Sequence, residues 1–145
     1  MRGVVQRVTE AAVTVDGEVV GAIRAGLCVF VGVTHDDTDA SARKLADKIW
    51  NLRVIDDDSG VMNRSVAETS REVLIVSQFT LYADTSAGRR PSYVKAARPD
   101  HAEPLIELLV AELVRLGATV ATGRFRTEMT VALVNDGPVT VMIEV

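Results

Sequence analysis

Ser77, Gln78 and Thr80 place three hydroxyl or amide groups at the end of the apolar run Val73-Leu74-Ile75-Val76, with Phe79, Leu81 and Tyr82 set among them. A buried polar group without a partner costs about 1–3 kcal/mol, so polar side chains closing a core strand require a reason. Two fit. Either the strand reaches the surface there, or its end is the floor of a site where backbone and hydroxyl groups meet a ligand. A second unusual stretch is Asn135-Asp136-Gly137-Pro138. A Gly-Pro bond can adopt the cis form, which fixes two carbonyl oxygens as a rigid outward-facing pair; a plain hairpin turn is the other reading. The third is Gly88-Arg89-Arg90-Pro91-Ser92-Tyr93, followed by Lys95 and Arg98. This most basic segment suits a phosphate contact or an ordinary charged loop.

Other chemistry has little to stand on. There is no glycine-rich phosphate loop, no H-E-x-x-H, no C-x-x-C and no G-x-S-x-G elbow. His35 lies in a polar loop with no hydroxyl or thiol beside it to activate, and His101 sits near a helix start, where an imidazolium is disfavoured. Cys28 is enclosed in Leu27-Cys28-Val29-Phe30-Val31 and reads as an inert buried thiol. The run Asp56-Asp57-Asp58 lacks the alternating spacing and distal glutamate of an EF-hand, so it reads as a solvated turn. Neither a metal site nor a cofactor is expected. An enzyme built from this inventory would rely on backbone dipoles, a positioned hydroxyl or the substrate's own groups.

The elements that must position these residues follow from periodicity. A chain of 145 residues is expected to form one domain, residues 1–145. Its 48% hydrophobic and 4% aromatic content gives an aliphatic core. The segment 1–15 reads as one or two strands with a break near Glu10–Ala11, and Asp16-Gly17 as a two-residue hairpin turn. The apolar stretch 27–33 reads as a central strand. Ala42, Leu45, Ala46, Ile49 and Trp50 recur at helical spacing, as do Leu105, Leu108, Leu109, Leu113 and Leu116, with prolines at the start of that second helix and Gly117 at its end. Further strands are expected at 53–55, 119–122, 129–134 and 139–145, with 61–71 irregular and a sharp break at 135–138. The result is an α+β fold: a largely antiparallel sheet or open β-barrel with two long helices packed on it.

A net charge of −4 disfavours a protein that coats nucleic acid, yet leaves room for one that grips a short RNA end through a local basic patch. No apolar run is long enough to cross a bilayer, and MRGVVQRVTEAAVTV lacks the core of a signal peptide. With a single cysteine, this points to the cytoplasm and away from membranes.

Taken together, MRGVVQRV, VGVTHDD, SQFTLYAD, GRRPSY, HAEPL and NDGPVT, in this order, resemble the D-aminoacyl-tRNA deacylase family essentially end to end. The resemblance implies an enzyme without cofactor or metal that hydrolyses the ester between a D-amino acid, or glycine, and the 3′-terminal adenosine of tRNA. It implies a homodimer with each active site at the subunit interface. Carried onto this sequence, Ser77, Gln78, Phe79 and Thr80 form the catalytic floor. Gly137 and Pro138 become a cis pair, inserted from the partner, that holds the substrate's amino group and excludes L side chains. Asn135, Phe125 and Met129 flank the substrate, and Arg89, Arg90, Lys95 and Arg126 face the tRNA. Two motifs on separate strands, one of them a rigid turn, also suit completion of a pocket in trans. A threonine nucleophile needs an adjacent base and none is visible, so Thr80 is read as a positioning hydroxyl, with the ribose 2′-hydroxyl assisting an attacking water. The family commonly has Gly-Ala after the phenylalanine where Arg126-Thr127 stands here; two bulkier residues bear on how the adenosine or acceptor stem is seated, or add a phosphate contact. The alternative is a module of the same fold that binds tRNA or a nucleotide without turnover.

Overall fold

Apolar alternation sorts the chain into two cores separated by one sheet. A computed structural model describes all 145 residues. The strands are β1 (Arg2–Val15), β2 (Glu18–Ile23), β3 (Gly26–Gly32), β4 (Ile55–Asp56), β5 (Met62–Arg64), β6 (Glu72–Ser77), β7 (Val120–Thr122) and β8 (Thr130–Glu144). The helices are α1 (Asp39–Trp50) and α2 (Pro99–Leu116), with single 3-10 turns at Val66–Glu68 and Phe79–Tyr82. No helix is long and apolar enough to cross a membrane.

The main sheet runs β2-β1-β3-β6-β7, with β8 on the other edge of β1. All pairings of β1 are antiparallel, whereas β3–β6 and β6–β7 are parallel. The sheet is therefore mixed: antiparallel around β1 and parallel from β3 through β6 to β7. It curls until β2 approaches β7: a Cβ on Gly21 would lie 2.2 Å from the Thr122 carbonyl oxygen. In β6 the parity is clear. Val73 and Ile75 join α1 and α2 in the larger core, whereas Leu74 and Val76 face the smaller core inside the curl, with Val8, Val13 and Cys28. A strand buried on both faces needs the unbroken β-branched run seen here.

Several local expectations hold. Asp16 and Gly17 both adopt positive φ and close the β1–β2 hairpin, as a two-residue turn requires. Gly117 ends α2 at φ +108°. Others change. β1 is one strand without a break at Glu10–Ala11; just before it, between Gln6 and Glu10, the register against β8 shifts. The sharp break expected at 135–138 is likewise a bulge inside a single 15-residue strand, because the flanking residues continue to pair with β1. The strand expected at 53–55 is reduced to Ile55–Asp56, which pairs with β5 inside the stretch read as irregular. Pro104 lies within α2 and not in its first turn, since the helix begins at Pro99.

Candidate active site

β3 and β6 run parallel and end together, and their last ladder pair is Val31 with Ser77. The Gln78 N–H still reaches the Val31 carbonyl at 2.8 Å, after which the chain leaves the sheet as the 3-10 turn. That turn packs directly on β3. A Cβ on Gly32 would lie 3.0 Å from the Leu81 Cβ and 3.2 Å from the Gln78 carbonyl oxygen. The first N–H groups of a helical turn have no acceptor within it, and here they belong to Phe79 and Thr80.

Beyond these strand ends lies a cavity of about 680 Å³, with Val31, Val33, Val76, Ser77, Gln78 and Phe79 on one side. The remaining wall comes from Tyr93, Ala96 and Ala97, from Pro99 and Ala102 in the first turn of α2, from Phe125 to Met129, and from Val131. It is a mainly apolar pocket with a few polar groups, the usual constitution of a small-molecule site. The polar end of the central strand is thus the floor of a cavity and not merely an exit to solvent.

The segment 93–97 is clamped by the residues that follow β3. Ala97 N–H donates to the Val33 carbonyl at 2.9 Å, Thr34 Oγ1 donates to the Lys95 carbonyl at 2.6 Å, and His35 Nε2 contacts the Val94 carbonyl at 2.7 Å. This fixes Tyr93 edge-on to Phe79, with ring centroids 5.2 Å apart. His35 therefore serves as a clamp outside the cavity. The adjoining loop is tied by Asp84, whose carboxylate accepts from Ser86 and pairs with Lys95 at 3.3 Å. Those contacts, led by the Ser86 hydrogen bonds, pull the Asp84 carboxyl down to about 2.

No nucleophile–base pair is assembled. Thr80 Oγ1 accepts a hydrogen bond from Gln78 Nε2 at 2.5 Å and has no carboxylate or imidazole partner. The Thr127 hydroxyl is engaged with the Arg124 carbonyl at 3.0 Å. Glu128 is the one carboxylate of the lining, and no hydroxyl hydrogen-bonds to it. Burial pushes the Cys28 thiol up to about 12, so it stays protonated and inert. No three His, Cys, Asp or Glu side chains converge in a geometry that could hold a metal ion.

The residues singled out in the sequence divide into four groups. Ser77, Gln78, Phe79, Phe125, Arg126 and Met129 line the cavity together. Met129 comes close because Gly123 leaves room: a Cβ there would lie 2.7 Å from its sulfur. Thr80 stands beside the floor, bound to Gln78. Asn135, Gly137 and Pro138 are exposed and are absent from this cavity. Gly137 lies six residues beyond the lining residue Val131 on β8, roughly 20 Å of extended strand. The Gly137-Pro138 peptide is cis. Arg89 and Arg90 are exposed on the loop after Asp84 and pair with no acid, whereas Lys95 is occupied by Asp84.

The sequence reading passed over Arg7. Only 6% exposed, it donates to the Val54 carbonyl at 2.8 Å, to Asp56 at 3.0 Å and to the Asp136 carbonyl at 3.1 Å, and forms an ion pair with the Asp136 carboxylate at 3.1 Å. It fastens the base of the Gly137-Pro138 bulge to the body of the fold. The signal was legible in parity: Gly3, Val5 and Arg7 occupy one inward-facing row of β1, continued by the buried Met1. Tyr93, Glu128 and the start of α2 were also missed as pocket walls, since only the tertiary fold brings loops from distant parts of the chain to one rim.

Comparison with known proteins gives one consistent result. The family model described as D-Tyr-tRNA(Tyr) deacylase matches residues 4–144. A Nocardia farcinica protein named D-aminoacyl-tRNA deacylase is 58% identical over 147 residues, covering 99% of each chain. A Streptomyces coelicolor protein of the same name is 55% identical over 146 residues, covering 100% of both. Among solved structures, one described as a c-Myc DNA unwinding element binding protein superposes with a TM-score of 0.95 at 38% identity, covering 100% of this chain and 99% of that one. A probable eukaryotic D-amino acid tRNA deacylase shares the fold, with a TM-score of 0.85 at 16% identity over 99% of this chain and 98% of that one.

Proposed function

The chain belongs to the D-Tyr-tRNA(Tyr) deacylase family, and from that premise we propose that it hydrolyses the ester between a D-amino acid and the 3′-terminal adenosine of tRNA, releasing free D-amino acid and tRNA. The observation that carries this reading is the cavity over Ser77, Gln78 and Phe79, with Thr80 beside it: apolar walls, a polar floor and no side-chain nucleophile with a base. In an acyl transfer of this kind, charge develops on the ester carbonyl oxygen as water adds, and fixed backbone donors are well suited to meet it. The N–H groups of Phe79 and Thr80 are those donors. Water adds to the ester carbon, the bond to the ribose 3′-oxygen breaks, and that oxygen takes up the proton. The neighbouring 2′-hydroxyl assists the water, while Thr80 orients the substrate. Glycyl-tRNA, which lacks a side chain to exclude, is a substrate by the same logic.

The chiral filter is Gly137-Pro138 of the partner subunit, whose carbonyls receive the substrate ammonium and leave no space for an L side chain. Three features support completion in trans. The bulge is exposed, it lies far along β8 from its own pocket, and Arg7 anchors its base. β8 is also a 15-residue strand on the sheet edge, with Val134 50% and Met142 64% exposed, the kind of edge that is covered in folded assemblies. A homodimer in the cytoplasm, acting without cofactor or metal, is the form this reading implies.

Deacylation of matched D-Tyr-, L-Tyr- and glycyl-tRNA by the pure protein without added metal tests it. Release from the D- and glycyl-esters with the L-ester nearly untouched is expected, and equal cleavage of both enantiomers refutes the filter. Sedimentation showing only monomer at micromolar concentration removes the cross-subunit arrangement. A second reading, nucleic-acid binding without turnover, draws on the name of the solved relative that superposes at 0.95; stable capture of D-Tyr-tRNA without hydrolysis would favour it.

A further inference from the structure

Arg126 occupies a place that its own chemistry does not favour. Its φ is +59°, in the left-handed region where a residue with a Cβ is uncommon and where functional sites concentrate. Phe125 packs against the larger core on one side of it, and Met129 against the smaller core on the other. The backbone of the turn is thereby fixed, and the Arg126 side chain lines the cavity. Its guanidinium forms no ion pair and no hydrogen bond within the chain, although Arg2, Arg7, Arg43, Arg64 and Arg115 each hold a carboxylate. Glu128, on the same wall, is not within ion-pair distance of it. An unpaired cation at a pocket rim in a chain of net charge −4 leaves a binding group unused.

The other wall of the cavity adds to the same field. Pro99 and Ala102 place the first turn of the 18-residue helix α2 at the pocket, where the helix end carries partial positive charge. Arg98 precedes it and is also unpaired. On the deacylase reading, the group seated on Ser77–Thr80 is an aminoacyl-adenosine, which has no negative charge. The first anion met on leaving the pocket is the phosphate joining the terminal adenosine to the preceding nucleotide.

We infer that Arg126 binds this phosphate, so that the site recognises the 3′ end of an RNA chain and discriminates against a free aminoacyl-nucleoside. The inference rests on the deacylase reading and assigns a specificity-determining contact to it. A guanidinium can pair with a phosphate bidentately, a contact that a flexible ammonium reproduces incompletely.

The probes are the 3′-O-D-tyrosyl esters of adenosine and of adenosine 5′-monophosphate, with D-Tyr-tRNA beside them. The wild-type protein is expected to prefer the phosphorylated ester at least about tenfold in kcat/KM, the scale of one charge-assisted hydrogen bond. Arg126→Gly, which suits the left-handed φ and so does not threaten folding, should bring that ratio near one, through KM more than kcat. Arg126→Lys should fall between. On D-Tyr-tRNA, loss of one phosphate contact should also flatten the slope of log kcat/KM against log salt by about 0.7. A wild-type ratio of one, or a ratio unchanged in Arg126→Gly, overturns the inference while leaving deacylation intact. Failure of the wild type to cleave any of the three esters refutes the deacylase reading itself.

Discussion

Replacing Arg7 with methionine keeps the unbranched stem and removes the guanidinium. The lost contacts are of two kinds. Asp56 and Asp136 are 47% and 38% exposed, so their carboxylates can turn to water and the pairs contribute about 0–1 kcal/mol each. The carbonyls of Val54 and Asp136 lose their charged donor, at about 1–3 kcal/mol for each acceptor left unpaired. The methionine stem recovers part of this through packing. The net loss is roughly 2–4 kcal/mol, below the usual total stability of a domain, so Arg7→Met should fold. Urea denaturation should show a lower midpoint with an unchanged slope. Under native conditions, kcat/KM on D-Tyr-tRNA should fall by a larger factor than the small unfolded fraction explains, since Asp136 no longer ties the bulge to β1. A stability change under about 0.5 kcal/mol together with wild-type deacylation would refute the assignment of Arg7 as the anchor.

Thr80→Ala removes a hydroxyl whose one side-chain partner is Gln78; single-turnover deacylation should slow only about two- to tenfold, the scale of one neutral hydrogen bond, and a fall to the uncatalysed rate would make Thr80 the nucleophile. Gly32→Ala drives a Cβ against Leu81, Tyr82 and the Gln78 carbonyl, so the 3-10 turn must shift; a stability loss of about 1–3 kcal/mol with a disproportionate drop in kcat is expected, and retention of full activity would remove the turn from the site. Asp84 is held at about 2 against an ordinary 3.8. A depressed carboxyl stabilises the fold above its unfolded value and loses that contribution as pH falls through the folded one, so hydrogen-exchange protection of residues 85–92 should decline between about pH 4 and pH 2. Asp84→Asn should show low protection at neutral pH and no acid-dependent decline, and a wild-type profile in that variant would contradict the Ser86 and Lys95 contacts.

The parts of this fold written in local pattern were readable. The helical stripes of α1 and α2, the Asp16-Gly17 hairpin and the doubly buried run 73–76 depend on residues close in sequence, and each formed where periodicity placed it. Segments whose state depends on pairing partners were not. Ile55–Asp56 is a strand only because β5 lies beside it, and 135–138 is a bulge and not a break because β1 continues past it on both sides.

For the site, the sequence by itself marked Ser77–Thr80 and Gly137-Pro138 as local departures from rule, a polar end on a core strand and a Gly-Pro pair, but left surface exit or floor, and turn or cis pair, open. Tertiary structure decided what they belong to. The cavity draws its walls from β3, β6, β8, α2 and two loops, a convergence that no spacing encodes. It left Gly137-Pro138 some 20 Å of strand away from its own pocket. It also gave Arg7 a meaning as an anchor and turned Arg126 from one basic residue among several into the unpaired cation at the rim. Side-chain types limit which chemistry is available, but only the folded chain fixes distances, and a contact worth a few kcal/mol exists only at the right distance.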